Sequence, residues 1–176
     1  MQPNWEKLKS LVHYVCEKAE NPSVLGSIKL NKVLWYSDVI NYLNYGNSIT
    51  LETYVKRQHG PVPKHILSII QNLIIEQKII RSRVDHFGYI KNEYIALQVA
   101  DKNIFSGEEM AVINDSFEYV CLGHTAKSIS EETHGTIWQI AQMGEVIPYE
   151  SVFASIVGEV NEEDIEWAHH QLSKAA

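Results

Sequence analysis

Apolar residues recur along most of this chain at the three-and-four spacing of a helix. Trp5, Leu8, Leu11, Val12, Val15 and Ala19 form one such face and predict a helix over about 4–19. Asn21-Pro22 ends it, because proline disfavours helical geometry in the residue before it. A second helix is expected over about 27–45, with Ser27 as its N-cap. Leu30, Val33, Leu34, Ser37, Ile40 and Leu43 share its inner face, and Gly46 can take the left-handed conformation that closes it. Residues 49–58 lean towards strand. His59-Gly60-Pro61-Val62-Pro63 then reads as a rigid turn, with Pro63 in the first turn of a third helix. Ile66, Leu67, Ile70, Leu73 and Ile74 make that helix so apolar that burial on more than one side is expected.

Two β-rich runs, 79–84 and 89–97, flank Asp85-His86-Phe87-Gly88 and predict a hairpin. Helical spacing then returns. Ser106 with Glu109 fits a capping box. Thr125 is placed to cap a short helix through 133, and another carries Ile137, Trp138 and Ile140 towards Gly144. Pro148 is expected to open a further helix, and Asn161 to cap a last one through Leu172. No repeat or linker divides the chain. The expected fold is mainly α (α+β): a compact helical domain over residues 1–176, with one β-hairpin after the third helix in a winged-helix-like layout.

Composition agrees with a folded domain: 176 residues, 45% hydrophobic and 21% charged. No stretch reaches the roughly 20 apolar residues of a membrane helix, and the first twenty residues lack the apolar core of a signal peptide. Cys16 and Cys121 stand alone in apolar patterns, as small core residues of a reducing compartment would. A cytoplasmic address is expected. Charge is uneven. Residues 1–54 balance, 55–91 hold seven basic against two acidic residues, and 92–176 hold three against fifteen. That distribution describes either a polarised surface or ordinary solvated faces.

Known catalytic patterns are missing. No phosphate loop, G-x-G-x-x-G or G-x-S-x-G run occurs. His169 and His170 are adjacent, so on a helix they point about 100° apart and do not chelate together. His124 and His134 lack a matching ligand spacing. No catalytic residue, metal site or cofactor is assigned. Two surface readings remain. Lys29 and Lys32 precede Trp35-Tyr36 and either form a cation–π binding rim or are solvated beside packed aromatics. Alternatively, the third helix and hairpin read DNA, with Lys64, Lys78, Arg81, Arg83 and Lys91 on phosphates. The apolar run from Ile66 to Ile75 argues against that, since a recognition helix needs polar side chains.

Three stretches in order carry a family resemblance. They are Lys29-Leu30-Asn31-Lys32-Val33-Leu34-Trp35-Tyr36, then His59-Gly60-Pro61-Val62-Pro63. The third is Ile129-Ser130-Glu131-Glu132-Thr133-His134 running on to Trp138 and Ile147-Pro148. Together they resemble the Panacea domain of SocA-like antitoxins and phage-associated proteins. Asn31 stands where glutamine is common in that family, and Arg57 falls near a frequent tryptophan. The resemblance implies an antitoxin without catalytic residues. It would neutralise a cognate toxin, encoded by an adjacent gene on a phage or mobile element, through direct binding, with DNA contact for autoregulation as a further possibility. The residues then expected at the partner surface are Lys29, Lys32, Trp35, Tyr36, Arg57, Gly60, Pro61, His134 and Trp138. The acidic C-terminal half would steer a basic partner.

Overall fold

A computed structural model describes residues 3–86 and 88–152. The expected helices form from local signals. Helix α1 (Trp5–Lys18) starts where the Asn4 side chain accepts from the Lys7 amide and buries Leu8, Leu11, Val12 and Val15. Helix α2 (Gly26–Tyr45) ends at Gly46, whose φ of 77° allows its N–H to reach the Tyr42 carbonyl. Helix α3 (Ile66–Ile75) leads into the hairpin β3 (Ile79–His86) and β4 (Tyr89–Ala96), paired from Ile79↔Ala96 to His86↔Tyr89. Ser106 and Glu109 make the capping box of α4 (Gly107–Phe117), which runs on into a π-helical turn, Glu118–Leu122. Thr125 caps α5 (Ala126–Glu132), and α6 (Thr136–Ile140) follows. The architecture is α+β, helices with small antiparallel sheets, and a hairpin follows the third helix as expected.

Four local expectations are corrected. Ser27 does not cap α2. Leu25 holds the N-cap position without a side-chain bond, and the Ser27 hydroxyl sits 2.8 Å from that of Tyr94. Pro63 is not helical. It belongs to β2 (Gly60–Pro63), which pairs with β1 (Tyr54–Arg57) through Tyr54↔Pro63 and Arg57↔Gly60. Strand β5 (Val146–Ile147) joins the other edge of β1, giving a second sheet of order β2-β1-β5. Helix α3 buries one side only, through Ile66, Ile69, Ile70 and Leu73, while Leu67 and Ile75 face solvent. After Pro148 a 3-10 turn, Tyr149–Val152, replaces the expected helix start; the Asn161 helix and the pair His169-His170 lie outside the described residues.

Helix α2 is the hub. Helices α1, α4 and α5 and strands β2 and β4 pack around it. Its buried residues include Leu30, Lys32, Val33, Leu34, Trp35, Asp38 and Val39, which occupy more than one face. Polar groups carried inside must find partners there. The Asp38 carboxylate accepts from the Thr50 amide (2.8 Å), the Thr50 hydroxyl (2.5 Å) and the Tyr54 hydroxyl (2.8 Å). Burial still pushes that carboxyl up to about 6, against the pull of these bonds. Buried Glu52 accepts from its neighbour's amide and lies 3.0 Å from His65 Nδ1. These two acids clamp the loop between α2 and β1 and so fix where β1 and β2 lie. Cys16 and Cys121 are buried free thiols, pushed up to about 12 and about 11 by desolvation. Among the described residues no helix is long and apolar enough to cross a membrane.

Candidate protein-binding surface

The turn between β1 and β2 brings the chain back at Gly60, with φ of 103°. A side chain there would be strained by that φ and would also strike the Lys32 ammonium and the Thr133 hydroxyl. Glycine therefore lets three distant stretches meet: Lys32 from α2, Gly60-Pro61 from β2 and Thr133 from the end of α5. Lys32 is 1% exposed, and among the described residues its one hydrogen bond is a long one, 3.5 Å to the Pro61 carbonyl. Burial pulls its amine down to about 7 from an ordinary 10.5.

Thr133 is followed by His134, whose ring stacks on Trp138 with centroids 3.6 Å apart and planes 7° apart. Burial, then the nearby Lys32, His59 and Lys56, lower the His134 pKa. The Trp138 indole N–H donates to the Arg57 carbonyl at 3.2 Å, tying α6 to the end of β1. Lys56 Nζ lies 4.2 Å from the Trp138 ring centre while donating to the Gln139 and Ala141 carbonyls. A ridge of β2, α5 and α6 results.

Open space lies beside the ridge. An apolar groove of about 430 Å³ runs past Tyr36, Leu43, Tyr119, Ile137 and Trp138. At its rim Glu132 accepts from the hydroxyls of both Tyr36 (2.5 Å) and Tyr119 (2.6 Å). That charge raises both phenols, Tyr119 to about 12; for Tyr36 burial contributes more than the carboxylate. A cleft of about 760 Å³ opens between the hairpin, the start of α2 and α5, bordered by Lys29, His59 and His134.

The expected partner residues therefore gather in one region, with differing exposure. Arg57 is exposed, and Lys29, Tyr36, His134 and Trp138 are half-buried. Lys29 donates to the Cys121 carbonyl at 2.9 Å. Lys32, Trp35, Gly60 and Pro61 are buried. As surface anchors Lys32 and Trp35 are corrected: α2 is enclosed at this level, so Lys32 turns under Gly60, while Trp35 packs edge-on to Tyr54 at 4.9 Å. Neither spacing nor the family stretches pointed to Tyr119 or Lys56. Tyr119 and Glu132 are thirteen residues apart and meet where α5 and the π-helical turn both pack on α2. His59, Glu132 and Thr133 lie within the family stretches.

The basic residues considered for DNA are not brought together in this way. Lys78 pairs with Glu76 at 2.9 Å and Lys91 with Glu93 at 3.1 Å. Lys64 follows β2, on the other sheet from the hairpin, and Arg81 and Arg83 remain exposed on β3. Among the described residues no three His, Cys, Asp or Glu side chains gather as a metal site would require.

A family model, antitoxin SocA-like, Panacea domain, matches residues 30–139. The chain belongs to this family. The matched span of the Panacea domain holds eight of the nine residues expected at the partner surface, all but Lys29, and includes the whole ridge from Gly60 to Trp138. No significant match was found among curated proteins or among solved structures. The Panacea assignment makes the chain antitoxin-like in its general function.

Proposed function

We propose that the chain neutralises a partner toxin by direct, non-catalytic binding, and that the ridge and apolar groove are the contact. The toxin would be the product of an adjacent gene, in a system carried by a phage or mobile element. The observation that carries this reading is the convergence of the three family stretches on one rim around an open groove. Half-exposed Tyr36 and Trp138, with Tyr119 44% exposed, are the residue types that supply most binding energy at protein interfaces. Their hydroxyl and indole groups are already bonded, to Glu132 and to the Arg57 carbonyl, so the rings are held in place before a partner arrives.

Co-expression with the adjacent gene product tests the reading. Wild type should restore growth, and Trp138→Ala should lose that protection while remaining folded by circular dichroism. Equal growth inhibition with and without the wild-type chain would refute it.

A further inference from the structure

We propose that the cationic trough along the first turns of α2 receives an extended acidic segment of the protein partner, deepening the antitoxin reading on which it rests. The 760 Å³ cleft and a second one of about 430 Å³ share Ser27, Ile28 and His59, so they form one continuous channel over the start of α2. Its walls carry Lys29, Lys91, Lys127, Arg57, His59 and His134 against one lining carboxylate, Glu131. All three lysines are partly engaged: Lys29 by a carbonyl, Lys91 by Glu93 and Lys127 by Glu131 at 3.9 Å. Arg57 and His59 meet no carboxylate among the described residues. His59 stands where the two clefts join, and Arg57 lines the second cleft, away from Lys127 and Tyr89 in the first.

Hydrogen-bonding needs along the channel match the same occupant. The first amides of α2, at Gly26, Ser27 and Ile28, have no acceptor among the described residues, and no side chain caps the helix. The carboxylates of an acidic peptide supply acceptors for the cations and for these amides alike. Val24, Ile28 and Ile90 border the channel and suit apolar side chains interspersed with the acids. A phosphate backbone would leave that apolar lining unused.

Random dodecapeptides displayed on phage, selected against the full chain, test the proposal. Selected peptides should be enriched in Asp and Glu. A labelled synthetic copy should bind about tenfold more weakly to Arg57→Glu/Lys127→Glu and should weaken with added salt. Both side chains are exposed; if charge reversal disturbs folding, Arg57→Ala/Lys127→Ala should lower affinity in the same direction. Failure to select peptides, selection without acidic enrichment, or affinity unmoved by these substitutions overturns the proposal. So does displacement of the peptide by an equally long single-stranded DNA, which would assign the channel to nucleic acid. Growth rescue separates the two ideas: rescue with non-acidic peptides sinks the trough alone, whereas no rescue by wild type sinks the antitoxin reading and leaves the peptide result standing.

Discussion

Replacing Lys32 with methionine should make this protein more stable. The ammonium is almost completely enclosed and, among the described residues, holds only the 3.5 Å contact to the Pro61 carbonyl, so little offsets its lost hydration. The fall from 10.5 to about 7 corresponds to about 5 kcal/mol when the amine stays charged, at about 1.4 kcal/mol per tenfold. The sign follows from proton binding. Between about pH 7 and 10.5 the unfolded chain holds a proton that the folded chain releases, so this group's contribution to stability rises with pH across that window. The penalty is then about 4 kcal/mol at pH 7 and about 2 kcal/mol at pH 9. Methionine fills a similar volume without charge. Urea unfolding of both proteins should show a stabilisation of up to about 4 kcal/mol at pH 7, shrinking by about half at pH 9. Comparing the two proteins at each pH cancels the buried tyrosines, which are common to both. A variant less stable than wild type at pH 7, or a difference that stays constant with pH, would refute the reasoning. If Lys32→Met is more stable yet rescues growth less well, the amine is kept for binding at a cost in stability.

Further outcomes follow from the same geometry. Gly60→Ala should cost about 2 kcal/mol or more, read as a lower Tm, because a methyl group there meets Lys32 and Thr133 at a φ of 103°. Trp138→Ala should raise the His134 pKa towards 6.5, read by NMR titration, because the stacked indole helps to desolvate the imidazole. Asp38→Asn should cost about 1–3 kcal/mol in chemical denaturation, since its amide turns a donor towards a group that already donates. Folded Asp38 keeps its proton to about 6, so wild type should lose stability relative to that variant as pH rises from about 4 to 6. Arg81→Ala/Arg83→Ala should leave growth rescue unchanged and, in a gel shift, alter no binding to the upstream DNA.

Local chemistry made much of the helical frame legible. The Asn4, Ser106 and Thr125 caps and the Gly46 stop each act within a few residues, so sequence reading placed α1, α4, α5 and the end of α2 closely. Strand β2 was harder to see because Gly-Pro-Val-Pro is turn chemistry. It works as a strand because it lies at the sheet edge, where missing proline N–H groups break no central ladder. The interior polar residues of α2 were equally opaque. Lys32 and Asp38 interrupt an apolar stripe and look like solvent positions, until Gly60, Thr50 and Tyr54 arrive from elsewhere. The family stretches located the surface, but only the enclosure of α2 separated buried Lys32 and Trp35 from accessible Tyr36 and Trp138.

Strand β1 takes its two neighbours at very different times in the life of the chain. Its pairing with β2 closes within a few residues, but Tyr54 waits for Ile147. Trp138 likewise reaches the Arg57 carbonyl only after a further 81 residues have been made. At a ribosomal pace of about 5–20 residues per second, the delay between the first half of the sheet and its completion is about 5 to 20 s. The proposed contact surface is therefore incomplete on the nascent chain until α6 and β5 have emerged.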